Sequence, residues 1–121
     1  VDHSPRFLRL VEASRANVRE IAVAEVLEKL RRGDPFEFVD VREDDEWRAG
    51  HAARARHLGR GVLERDVEKA IPDLDREIVL YCGGGFRSAL AAESLEKMGY
   101  RNVLSMAGGF RAWKEAGGPT E

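Results

Sequence analysis

The chain has one cysteine in 121 residues, Cys82, so it closes no internal disulfide and offers no thiolate cluster for zinc. Its three histidines, at 3, 51 and 57, lack the spacing and the acidic company of a metal site, so neither a metal nor a cofactor is expected. Charge of one sign is missing too. Twenty Lys and Arg stand against 22 Asp and Glu, a net charge of −2. No long-range field therefore draws the protein to nucleic acid or to an anionic membrane. No apolar run approaches the roughly 20 residues of a membrane span, and residues 1–20 carry arginines and acids in place of a secretory signal's apolar centre. A soluble, cytoplasmic monomer is expected. The chain begins at Val1 and not at methionine, as a trimmed or excerpted product would.

What is present suits one compact domain. With 43% hydrophobic and 35% charged residues in 13.5 kDa, there is enough apolar material for a core, and folding should bury roughly 65% of the unfolded surface. Ser4-Pro5 reads as an N-cap followed by proline at the first helical position, and Phe7, Leu10, Val11, Ser14 and Val18 keep helical spacing. Val23, Val26, Leu27 and Leu30 repeat it until Gly33, so a second helix ends near Arg32. Ile21, between them, suits a short edge strand. After the Asp34-Pro35 turn, residues 36–41 form the apolar, β-favouring run of a buried parallel strand.

Glu43, Asp44, Asp45 and Glu46 sit in the first turn of a short helix that ends near Gly50, where acids complement the dipole, and they read as a solvated face. Residues 55–58 form a weak strand. Val62, Leu63, Val67, Ala70 and Ile71 then line a helix that Pro72 stops. Ile78-Val79-Leu80-Tyr81 is the second strong strand, followed by a helix through Leu90, Ala91, Ser94, Leu95 and Met98, a last strand at Val103-Leu104, a turn at Gly108-Gly109 and a terminal helix anchored by Phe110 and Trp113. Strands alternating with helices predict an α/β fold, a parallel sheet with helices on both faces, whose ligands bind at the carboxyl edge. No internal repeat or low-complexity tract interrupts it.

The junction after the Ile78–Tyr81 strand carries the chemistry. Residues 82–88 read Cys-Gly-Gly-Gly-Phe-Arg-Ser. Gly83, Gly84 and Gly85 let successive amides turn inward around the Cys82 sulfur as an anion-binding nest. The helix that starts after them, near Arg87, adds its N-terminal partial charge, and Arg87 or Ser88 adds donors. Helix N-termini and nearby cations bring a cysteine from an ordinary pKa of about 8.5 to roughly 3.5–7.5, enough to make a standing nucleophile at neutral pH. A lone cysteine is more often a small buried hydrophobe, but burying a thiol does not call for three glycines, an arginine and a helix start within six positions. A nucleotide phosphate loop is excluded, since no Lys-Ser or Lys-Thr pair follows.

Three ordered motifs resemble those of the single-domain rhodaneses, a sulfurtransferase family, over nearly the whole chain from about Ile21. They are Asp40-Val41-Arg42-Glu43 with Glu46 and Gly50-His51, then Tyr81 to Ser88, then Gly108-Gly109-Phe110-Arg111-Ala112-Trp113. The resemblance implies a five-stranded, mostly parallel sheet flanked by helices, a rhodanese-like domain over 20–121, and an N-terminal helical extension over 1–19. It also implies that Cys82 carries sulfane sulfur as a persulfide, drawn from thiosulfate or a related donor and passed to cyanide, a thiol or a protein acceptor. Gly83, Gly84, Gly85, Phe86, Arg87 and Ser88 would bind the anionic donor. With no second cysteine, the sulfur leaves only to an outside nucleophile.

The family commonly follows Gly-His with an apolar residue, Pro, Gly and Ala, whereas this chain reads Ala52-Ala53-Arg54-Ala55. A left-handed backbone at Arg54 would cost about 1–2 kcal/mol, so the turn is expected to take another path. Asp40 and Arg42 read as a scaffold ion pair, His51 as structural, and Trp47 and Trp113 as packing residues. Two other function classes remain. One is a phosphatase or arsenate reductase, which generally sets five residues between its cysteine and arginine where four stand here. The other is a non-enzymatic persulfide carrier that docks on a partner, for which an exposed apolar stripe at Phe7, Leu10 and Val11 would speak.

Overall fold

The computed structural model describes residues 3–121. Along the chain run α1 (Pro5–Arg15), β1 (Arg19–Ile21), α2 (Val23–Arg32), β2 (Glu37–Asp40), α3 (Asp44–Arg48), β3 (Arg56–His57), α4 (Leu63–Ala70), β4 (Ile78–Tyr81), α5 (Phe86–Lys97), β5 (Val103–Met106) and α6 (Gly109–Glu115). Local chemistry sets the boundaries. Ser4 caps α1, its hydroxyl accepting the Phe7 N–H at 3.4 Å. Gly33, at φ 73°, closes α2 as the amides of Gly33 and Asp34 turn back to Leu30 and Lys29. Glu43 and Glu46 form a reciprocal capping box on α3.

The sheet has the order β1-β5-β4-β2-β3. Every pairing between its strands is parallel, a stricter arrangement than the mostly parallel sheet expected. Side chains of β4 alternate between two cores. Ile78, Leu80 and Cys82 join Leu63, Val67, Ala91 and Leu95 on one face, and Val79 and Tyr81 join Val26, Phe110 and Trp113 on the other. The chain steps one way from β1 to β2 and the opposite way from β3 through β4 to β5. Right-handed crossovers therefore send α2 to one face and α4 and α5 to the other. Cys82 follows the central strand directly, at the carboxyl edge where two layers of helix meet.

One expectation fails, and the condition that would have spoken for a docking carrier is not met. Arg54 does adopt a left-handed backbone, at φ 71°. The turn it completes is tied to the C-terminal tail, with the Ala53 N–H on Pro119 O, His51 and Glu121 exchanging backbone bonds, and an Ala52–Thr120 bridge. Those bonds hold the strained residue where glycine would be at ease. The apolar stripe on α1 is also not free. Val11 is fully buried and Phe7 half-buried, leaving Leu10, at 56%, and Leu8 as its exposed apolar residues.

Candidate active site

The loop between β4 and α5 closes around the Cys82 sulfur. The Gly85 N–H lies 3.1 Å from Sγ and the Ser88 N–H 3.4 Å, while the Ser88 hydroxyl stands 3.6 Å away and is itself hydrogen-bonded to Ser105 at 2.8 Å. Gly85 reaches this position at φ 96°, and a Cβ there would meet the Gly108 amide at 3.1 Å. Two amides from the start of a 12-residue helix thus converge on one buried sulfur, an arrangement that favours a negative atom there.

The loop's carbonyls are drawn off on another side. Cys82 O accepts the Phe110 N–H at 2.7 Å and Gly83 O accepts the Arg111 N–H at 3.2 Å, both from the first turn of α6. That close approach needs Gly109, where a Cβ would stand 2.5 Å from Cys82 O. Neither Ser105 nor the loop contact of Gly109 follows from the reading of the sequence. The tandem glycines read as a turn, and Ser105 carried no signal beyond its place in a strand.

Arg87 differs most from expectation. Its guanidinium forks onto Glu46, at 2.8 and 3.0 Å. The hydrogen bonds from Arg87 pull the Glu46 carboxyl down to about 2, and Glu46 in turn raises Arg87. Glu46 is therefore a member of the site and not part of a solvated helix face. Gly83 sits beneath this pair, its missing side chain leaving room for Arg87 Nη2, 3.3 Å from where a Cβ would be.

Asp40 and Arg42 form the scaffold pair that the sequence predicted. Asp40 is fully buried, and Arg42 reaches it through its own backbone N–H at 2.8 Å and through its side chain at 2.9–3.1 Å. Arg42 also donates to Gly50 O at 2.7 Å and lies 4.3 Å over the Phe110 ring. The Tyr81 hydroxyl accepts the Ala52 N–H at 3.0 Å, and burial, with Asp40 beside it, pushes its pKa up. His51 stacks on Trp47 with ring centroids 3.4 Å apart and bonds to Trp47 O. Trp113 is fully buried, and its indole N–H donates to Pro119 O. Among the described residues, no group of His, Cys, Asp and Glu is arranged to hold a metal ion.

In front of the loop lies a cavity of about 640 Å³ lined by Cys82, Gly83, Gly84, Phe86 and Arg87. Its outer wall comes from elsewhere: His3 before α1, Phe7 in it, and Arg111 in α6. No helix among the described residues is long and apolar enough to cross a membrane.

Known proteins are similar to this chain in sequence and fold. The rhodanese-like domain family matches residues 22–116. The thiosulfate sulfurtransferase GlpE of Coxiella burnetii is 33% identical over 96 residues, 79% of this chain and 87% of that protein. Among solved structures, a Rhodopseudomonas palustris protein of unknown function, described as a possible tyrosine phosphatase, superposes with a TM-score of 0.88 at 29% identity, covering 100% of this chain and 98% of its own. The polysulfide-sulfur transferase homodimer of Wolinella succinogenes superposes with a TM-score of 0.81 at 27% identity, covering 96% and 87%.

Proposed function

The chain belongs to the rhodanese-like domain family, and from that premise we propose that it is a sulfurtransferase that moves sulfane sulfur from thiosulfate or a related donor to an outside acceptor through a persulfide on Cys82. One observation carries the reading: the Gly85 and Ser88 amides converge on the sulfur of Cys82, a buried residue at the wall of a cavity. A buried structural thiol has no need of either feature. The family's thiosulfate sulfurtransferases support the donor class.

In the first half-reaction the Cys82 thiolate attacks the outer sulfur of thiosulfate. A new S–S bond forms, the bond to the inner sulfur breaks, and sulfite leaves with the electron pair. The negative charge then rests on the outer sulfur of Cys82–S–S⁻, and the inward amides are fixed in place beforehand for an anion there. In the second half-reaction cyanide or a thiolate attacks that outer sulfur and Cys82 departs as thiolate. Cys82 is the chain's one cysteine, so no internal thiol intercepts the persulfide. Arg87 serves the donor dianion by sharing the fork it now gives to Glu46. Soluble handling of small donors fits the balanced surface charge.

Intact-mass measurement after incubation with thiosulfate tests this. A gain of one sulfur is expected, absent in Cys82→Ala and reversed by cyanide. No gain, together with hydrolysis of an aryl phosphate, would move the protein to the phosphatase class.

A further inference from the structure

The cavity is larger and more apolar than thiosulfate needs. Ligand pockets of roughly 300–1,000 Å³ take drug-sized molecules, and at about 640 Å³ a small inorganic anion fills a minor part of it. Its outer wall is aromatic. His3 and Phe86 meet edge to face at 4.6 Å between ring centroids, His3 and Phe7 lie 5.3 Å apart, and Phe7 and Phe86 lie 6.2 Å apart. The Arg15 guanidinium lies 5.1 Å over the Phe86 ring.

Two of these rings come from a segment outside the residues that match the family. That segment is fixed. Val11 is fully buried against the body, Ser14 Oγ donates to Glu93 at 3.0 Å, and the Asn17 side chain reaches the same carboxylate at 2.9 Å. A strongly hydrated dianion gains little from apolar rings, whereas an apolar group gains from both burial and ring geometry. At the same mouth, the Arg111 side chain forms no ion pair among the described residues, while Arg87 is engaged by Glu46.

We propose that His3, Phe7 and Phe86 form a subsite for the carrier group of an organic sulfane-sulfur compound, a thiosulfonate or persulfide with an aromatic or aliphatic body, with Arg111 supplying charge to its anionic group. The proposal rests on the sulfur-transfer reading and names its substrate class. With a thiosulfonate the Cys82 thiolate attacks the terminal sulfur, the S–S bond to Cys82 forms, the bond to the sulfonyl sulfur breaks, and the sulfinate leaves with the electron pair. α1 is thereby a specificity element, and the site is incomplete without it.

Benzenethiosulfonate and methanethiosulfonate share the reacting group and differ in the ring, so the ratio of their kcat/KM values in sulfur transfer to cyanide reads the wall. The ratio should exceed one in the native protein and fall about tenfold in Phe7→Ala, the size of one lost aromatic contact. Phe7→Leu, which keeps apolar volume and loses the ring, should fall less and carries the test if Phe7→Ala does not fold. An unchanged ratio in the folded variant overturns the proposal. Binding of benzenesulfonate, which has no sulfane sulfur, separates the two readings. If it shifts the Phe7 and Phe86 amide resonances while no donor loads Cys82, the subsite stands and sulfur transfer falls. If donors load Cys82 but benzenesulfonate leaves those resonances unmoved, sulfur transfer stands and the subsite falls.

Discussion

Asp40–Arg42 and Glu46–Arg87 are both forked arginine–carboxylate pairs beside the carboxyl edge of the sheet, but the first is sealed inside the fold and the second opens on the cavity. The side chains of Asp40 and Arg42 are 0% and 6% exposed, against 34% and 32% for Glu46 and Arg87. Arg42 also gives Nη2 to Gly50 O and lays its flat face on Phe110, and burial keeps the pair away from any ligand. Arg87 has only Glu46 in its fork, in a place that water and small anions reach. The same chemistry thus serves as scaffold where it is dry and as an exchangeable contact where it is wet, because desolvation decides whether a partner can be swapped.

Removing one member of each pair probes that difference. Arg42→Ala leaves the Asp40 carboxylate buried and uncompensated and should cost about 3–5 kcal/mol in urea unfolding. A loss below about 1 kcal/mol would mean that the pair is as replaceable as its neighbour. Arg87→Ala should lower kcat/KM for thiosulfate about tenfold or more, through the loss of a charge-assisted hydrogen bond, with less than about 1 kcal/mol lost from stability. Matching losses in donor use and in Tm would make Arg87 structural and erase the contrast.

The smallest effect is in pH dependence. Glu46 is held below its ordinary 4.5, at about 2, so its contribution to stability is fully present above about pH 4.5 and is lost as pH falls through about 2. Solvent screening keeps that contribution under about 1 kcal/mol. The stability difference between the native protein and Glu46→Gln should therefore be constant near neutrality and shrink between pH 4.5 and 2. A difference that stays flat to pH 2 would show that the carboxylate is not paired.

Much of the fold was legible because its signals are local. The Ser4 cap, the Gly33 stop and the apolar run of β4 each depend on a few adjacent residues, and all appear where the sequence indicated. The loop was legible for the same reason, since Cys82, three glycines and a helix start are contiguous. Glu46 was misread because its partner lies 41 positions away, and a capping acid and a site acid look alike in sequence. Arg54 was misjudged because its strain is offset by tail residues some 65 positions on, and residue propensity is blind to such support.

The sequence by itself determined the α/β alternation, the position of Cys82 at a strand end and the turn of nearby amides toward it, of which Gly85 and Ser88 reach the sulfur, since dihedral freedom and helix polarity act within a few residues. Only the tertiary structure decided that Arg87 answers to Glu46, that Gly109 lets α6 hold the loop's carbonyls, and that α1 walls the cavity. Those outcomes depend on which distant surfaces exclude water together, and burial is a property of the assembled chain.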